Sequence, residues 1–126
     1  MNSLKIISIA GAVLALAGAA QAQQRGPMFP DLTTGEAVYT GICQGCHMPD
    51  AKGAVGAGAY PALAKNENLE TAAYPVAMVL KGQKAMPGLG MQLDDQQVAD
   101  VVNYVRTHFG NKYRDKVKPE DVKAAR

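Results

Sequence analysis

The sequence predicts an all-α domain of three to five short helices, joined by loops rich in glycine and proline. Several segments begin with a helix-capping residue and continue with apolar residues at helical spacing. No segment alternates polar and apolar residues over the length of a strand, and no internal repeat is found. Glycines and prolines concentrate between the helical segments, which is typical of loops.

The first predicted helix begins after a threonine and ends near the first cysteine. Thr33 or Thr34 can cap it, because a threonine hydroxyl accepts a hydrogen bond from a free N–H group of the first turn. Glu36 then lies where the helix dipole favours negative charge. We expect this helix to reach about Cys43 and a glycine-rich loop to cover residues 48–61.

The middle of the chain predicts one further helix between irregular segments. Residues 62–70 favour a turn or a short helix, and a helix is expected at about 72–81. Pro75 falls in the first turn of that helix, where proline is tolerated. Residues 82–92 combine glycines and a proline and are expected to form a loop.

The clearest helix begins at Asp94, which has capping-box spacing with Gln97. Gly110 is a typical helix stop, and Pro119 can occupy the first turn of a short final helix over residues 119–125. The Asp94 helix carries one apolar stripe, which is formed by Val98, Val101, Val102, Val105 and Phe109.

The first residues are typical of a secretory signal peptide, which we place at residues 1–22. Lys5 precedes an uncharged apolar run over 6–20, and the small-x-small triplet Ala-Gln-Ala follows as a cleavage site. An uncleaved membrane anchor is the alternative, although the run is short for a span. Export to a bacterial periplasm is expected, with an irregular lead-in at 23–32, a domain at 33–126 and no stable membrane insertion after cleavage.

Composition narrows the class of protein further. Thirteen basic and eleven acidic side chains give a formal charge of +2, which does not support nucleic-acid binding. Two cysteines are too few for a multi-disulfide scaffold or a four-cysteine zinc site. Tryptophan is absent and aromatic residues make up 6%, so the chain has few large side chains for a core. A large apolar group enclosed by the loops would complete that core.

The residues from Cys43 to His47 form the motif C-x-x-C-H, which is typical of c-type haem attachment. Each thiol can add to one haem vinyl group, and the adjacent histidine can supply a nitrogen to the iron as proximal ligand. A thioredoxin-like dithiol or plain disulfide is the alternative, but thioredoxin chemistry expects a βαβ context. A zinc site would need the distant His108 as its fourth ligand, and that set is a poor one.

A haem iron with one histidine ligand needs a sixth ligand or has an open site. Met86 is the favoured candidate, because Pro87 stiffens its loop and Gly88 permits a close approach. A rigidly held ligand suits electron transfer, since little should move when the iron changes charge. Met91 is the alternative candidate for the same role.

These features together resemble the class I mono-haem c-type cytochromes over residues 33–126. The resemblance implies the cytochrome c fold, with loops wrapped around one haem c that is covalently attached through Cys43 and Cys46. The residues that carry it lie in five segments, which are 34–39, 43–47, 60–63, 81–87 and 94–106.

The resemblance also implies roles for individual residues. It places the distal ligand at Met86 and implies that the carbonyl group of Pro61 orients the proximal His47. It further implies that Gly35 and Tyr39 on the first helix pack against Tyr104 on the helix that begins at Asp94.

The expected function is that of an electron carrier and not an enzyme. His47 and Met86 would hold the iron six-coordinate, and methionine ligation raises the reduction potential. The expected partners are a dehydrogenase as donor and an oxidase or other redox protein as acceptor, with the carrier itself a monomer. The alternatives are a cytochrome subunit of a dehydrogenase complex and a haem enzyme or gas-binding protein with a labile sixth ligand.

Overall fold

Short helices and long loops dominate the computed structural model, which describes residues 26–126. The helices are α1 (Gly35–Val38), α2 (Gln44–His47), α3 (Ala73–Lys81), α4 (Asp95–Thr107) and α5 (Pro119–Ala125). Within the described range, none of these is both long and apolar enough to cross a membrane. The predicted signal peptide at 1–22 and the first residues of the lead-in lie outside the described residues.

The first helical segment (residues 35–47) begins as predicted but extends beyond the predicted end near Cys43. Thr34 caps α1, where its Oγ1 accepts a hydrogen bond of 3.0 Å from the backbone N–H of Ala37. A π-helical turn (Tyr39–Cys43) follows α1 and leads directly into α2, so the helical backbone reaches His47. The prediction ended this helix near Cys43, because apolar spacing does not reveal a single wider turn. Such turns occur often at functional sites.

The all-α prediction is correct only in part, because the described chain also contains a small antiparallel sheet. Strand β1 (Ala54–Val55) pairs with strand β2 (Ala59–Tyr60), with Ala54 opposite Tyr60. The fold is therefore mostly helical but not strictly all-α. Two residues per strand are too few to show the alternation by which a strand is read from sequence.

The remaining helices begin where their caps and prolines predict. Pro75 is buried in the first turn of α3, and a 3-10 turn (Glu67–Leu69) precedes that helix. Asp94 and Gln97 form both hydrogen bonds of a capping box at the start of α4. Pro119 is the first residue of α5.

The core is built around α4, which crosses the first helical segment at a glycine. A Cβ atom on Gly35 would overlap the backbone of Asp100 and come within 2.7 Å of Tyr104 Cβ. Beside this crossing the rings of Tyr39 and Tyr104 lie 5.7 Å apart, which confirms the expected packing of these residues. The apolar stripe of α4 is buried in the same core at Val98, Val101, Val102 and Val105.

Gly35→Ala is expected to destabilise the protein by about 1–3 kcal/mol or more, because the added methyl group meets backbone atoms that cannot move aside without separating the helices. Chemical denaturation of the holoprotein measures the change. Gly58→Ala is the matched control, since a Cβ there meets nothing within 4 Å. Equal stability of the two variants would contradict a tight crossing at Gly35.

Candidate functional site

The two cysteines of the C-x-x-C-H motif lie one helical turn apart at the end of the first helical segment. Cys43 ends the π-helical turn and is half-buried, whereas Cys46 lies in α2 and is exposed. They do not form a disulfide, and burial raises the pKa of the Cys43 thiol to about 11. At neutral pH the Cys43 sulfur is therefore protonated. Both sulfurs remain available for covalent attachment.

The ring of His47 is buried and held in one orientation by a backbone carbonyl. Its Nδ1 lies 2.9 Å from the carbonyl oxygen of Pro61. Because a carbonyl can only accept, Nδ1 carries a proton and donates, so that in the neutral ring Nε2 holds the lone pair. This is the arrangement by which metal-bound histidines are usually oriented.

The Nε2 atom of His47 opens onto accessible space. It makes no hydrogen bond to any residue in the range 26–126. Within that range no enclosed side-chain nitrogen or oxygen lacks a hydrogen-bond partner, so Nε2 is not enclosed. A ring nitrogen that is not enclosed, one residue after a free thiol, is the donor set that haem c requires. The residues present therefore fit the cofactor.

The loop that presents the Pro61 carbonyl depends on a glycine. Gly53 has φ of +67°, and a Cβ there would overlap the Tyr60 carbonyl and lie 2.8 Å from the carbonyl carbon of Pro61. Its N–H group donates to the carbonyl of His47 at 3.0 Å. Gly53 thus holds the backbone that follows His47 close to the backbone of residues 60–61, which presents the carbonyl group. The sequence predicts a glycine-rich loop over residues 48–61, but it does not distinguish Gly53 from the other glycines of that loop.

Tyr39 fixes the backbone on the C-terminal side of the histidine. Its hydroxyl group donates a hydrogen bond of 2.8 Å to the carbonyl of Met48. Burial is the main cause that raises the pKa of Tyr39 to about 12, so the donor stays protonated at any physiological pH. The same ring packs on Phe109 with 4.9 Å between centroids. The C-x-x-C-H segment is therefore anchored to the core through a side chain.

Met86 lies half-buried in a tight loop that folds back onto α3. Gln83 and Met86 exchange two backbone hydrogen bonds of 3.0 Å, and Gly82 has φ of +68° at the start of the turn. Beyond the turn, the N–H of Leu89 donates to the carbonyl of Val79 on α3. Met91, the alternative candidate, is 92% exposed. The structure therefore holds Met86 in a constrained loop and leaves Met91 in solvent.

Two buried polar residues near the end of α4 were not singled out from the sequence. Arg106 lies in the last turn of α4, where a charged side chain is usually exposed, yet it is fully buried. Asn111 is also buried and hydrogen-bonds to residues 62–66 through its side chain. Neither carries a local signal, because most of their partners lie 36 to 48 residues away in sequence. His108 is exposed.

A family model described as cytochrome C oxidase, cbb3-type, subunit III matches residues 30–105. The fructose dehydrogenase cytochrome subunit of Gluconobacter japonicus is 32% identical over 94 residues, which are 63% of this chain and 19% of that protein. The gluconate 2-dehydrogenase cytochrome c subunit of Pantoea cypripedii is 34% identical over 108 residues, which are 76% and 24%.

A smaller relative matches over nearly its whole length. Cytochrome c6 of Diacronema lutheri is 31% identical over 83 residues, which are 64% of this chain and 99% of that protein. The chain therefore spans only about a fifth to a quarter of the dehydrogenase subunits that it matches but almost all of this cytochrome.

Proposed function

Since the chain belongs to the cytochrome c family, we propose that it carries single electrons on one haem c attached through Cys43 and Cys46. The observation that carries the proposal is the buried His47, whose Nδ1 donates to Pro61, whose Nε2 is not enclosed, and which directly follows the two free cysteines in sequence. When bound, haem supplies the Fe(III)/Fe(II) couple. We assign His47 as the proximal ligand and Met86 as the distal ligand.

The protein residues in this proposal orient and enclose the cofactor. The hydrogen bond from His47 to the Pro61 carbonyl fixes the ring and makes Nε2 a stronger donor. The two backbone hydrogen bonds between Gln83 and Met86 hold the sulfur-bearing residue in a stiff turn. If His47 and Met86 both bind the iron, no position would be left for a substrate, and the site would suit electron transfer rather than catalysis.

We propose that the chain is exported, with a signal peptide at 1–22 and the haem-binding domain at 33–126. The support is the charged start, the apolar run and the small-x-small triplet of the first residues. The family match from residue 30 supports a domain that begins near residue 33.

We favour a free monomeric carrier between a dehydrogenase and an oxidase or another redox protein. The support is the match to nearly the whole of cytochrome c6, a protein as small as this domain. The second candidate is a cytochrome subunit of a dehydrogenase complex, which the matches to the fructose and gluconate dehydrogenase subunits favour. Purification from the native periplasm separates the two, because a permanent subunit will co-purify with its enzyme.

The mass of the mature chain tests the proposal directly. Expressed in cells that mature c-type cytochromes, the protein is expected to keep the mass of one haem after denaturation, on a chain cleaved after Ala22. The double variant Cys43→Ser, Cys46→Ser is the control and should carry no covalent haem. A colourless wild-type protein with the mass of the bare chain would refute haem attachment.

A further inference from the structure

Asn111 lies just beyond the end of α4 and connects that helix to the segment that follows Pro61. The residue is only 5% exposed. Its Nδ2 donates to the carbonyl of Val105 at 2.7 Å and to the carbonyl of Leu63 at 2.8 Å, and its Oδ1 accepts from the N–H of Asn66 at 2.9 Å. Both donor hydrogens and the acceptor of one buried amide are thus used to join two segments.

These hydrogen bonds hold the segment 62–66, which directly follows Pro61. The same segment is held from the other side by Ala51, whose carbonyl accepts from the N–H groups of Leu63 and Ala64 at 2.7 and 2.9 Å. The N–H of Lys65 adds a hydrogen bond of 3.1 Å to the carbonyl of Phe109. The position of the Pro61 carbonyl relative to α4 therefore depends on Asn111.

We propose that Asn111 is a positioning residue for the proximal ligand, a role that rests on the function proposed above. By fixing residues 62–66 it holds the Pro61 carbonyl 2.9 Å from Nδ1 of His47. A strong hydrogen bond at Nδ1 gives Nε2 more imidazolate character, which stabilises the oxidised iron more than the reduced iron. Loss of the Asn111 amide should weaken this hydrogen bond and raise the reduction potential.

Asn103, which lies on α4 itself, offers a matched control. Its Nδ2 donates to the carbonyl of Val117 at 2.8 Å, and its Oδ1 accepts from the N–H of Val117 at 2.9 Å. It therefore also links α4 to a later segment through a side-chain amide, but that segment is not the one that follows Pro61. Asn103→Ala should cost stability without changing the environment of His47.

The experiment compares holoprotein with Asn111→Ala and with Asn103→Ala against the wild type. In the reduced protein, solvent exchange of the His47 Nδ1 proton is followed by NMR, and the midpoint potential is measured in parallel. Asn111→Ala is expected to speed that exchange about fivefold or more, as for the loss of one ordinary hydrogen bond, and to shift the potential upward. Asn103→Ala should change neither quantity.

Unchanged exchange and potential in Asn111→Ala, a downward shift of the potential, or equal changes in both variants would overturn the assignment. If Asn111→Ala does not fold, Asn111→Ser takes its place, because its hydroxyl can retain part of the hydrogen bonding and the same comparison applies. This outcome is distinct from failure of the proposed function, which would appear as absence of covalent haem in the wild-type protein.

Discussion

Replacing Arg106 with alanine is expected to destabilise the protein by about 3–5 kcal/mol, from the loss of several charge-assisted hydrogen bonds and the cavity left behind. Arg106 is fully buried on α4. Its guanidinium group donates to the carbonyls of Leu69 and Glu70, both at 2.8 Å, and to the carboxylate of Asp115 at 2.7 Å. One side chain thus joins α4 to Leu69 and Glu70 and also to Asp115.

Denaturant unfolding of the holoprotein, followed by circular dichroism, measures this effect. Arg106→Lys should be more stable than Arg106→Ala, since an ammonium group keeps the charge. It should still be clearly less stable than the wild type, because lysine lacks the planar fork of arginine. Arg114→Ala is the control, because Arg114 is an exposed arginine nearby that makes no hydrogen bond with its side chain among the described residues. A loss below about 1 kcal/mol for Arg106→Ala would contradict this role.

The Asp115 partner makes part of this stability depend on pH. The hydrogen bond from Arg106 holds the pKa of Asp115 below its ordinary value of 3.8. The contribution is therefore complete at neutral pH and is lost as the pH falls through the lowered pKa of the folded state. Since Asp115 is exposed, we expect this loss of stability at acid pH to be modest. Asp115→Asn should lack it, so the free energy of unfolding of that variant should fall less as the pH is lowered.

The helices could be predicted from the sequence because their signals are local. Thr34, the Asp94–Gln97 capping box and Pro119 each act on backbone groups within one turn, so the residue types alone indicate where α1, α4 and α5 begin. The hairpin at Ala54–Tyr60 carries no comparable signal, since its two-residue strands depend on the loop being folded around them.

The candidate site likewise contains some residues that could be predicted from local sequence signals and others that could not. The covalent motif is contiguous, so Cys43, Cys46 and His47 could be recognised from their spacing alone. Asn111 could not, because its partners Leu63 and Asn66 lie 48 and 45 residues away and an asparagine after a glycine usually indicates only a turn. Residues that support a ligand from a distance become visible only when the chain segments are placed together.

Replacing Met86 with alanine is expected to lower the reduction potential by on the order of 0.1 V or more, within the roughly 0.8 V range that axial ligation spans. A thioether ligand favours the reduced iron, and its removal leaves water or an open position in its place. The long-wavelength sulfur–iron charge-transfer band should disappear at the same time. The reduced variant should then bind carbon monoxide rapidly at neutral pH, whereas the wild type should not.

Met91→Ala is the matched control for this ligand assignment. Met91 lies five residues further along the same loop but is 92% exposed, so its removal should leave the band, the potential and the resistance to carbon monoxide unchanged. Loss of the band in Met91→Ala and its survival in Met86→Ala would move the ligand to Met91. Rapid carbon monoxide binding by the wild type would instead favour a gas-binding or catalytic haem, because a thioether held in the stiff Gln83–Met86 turn should not leave the iron readily.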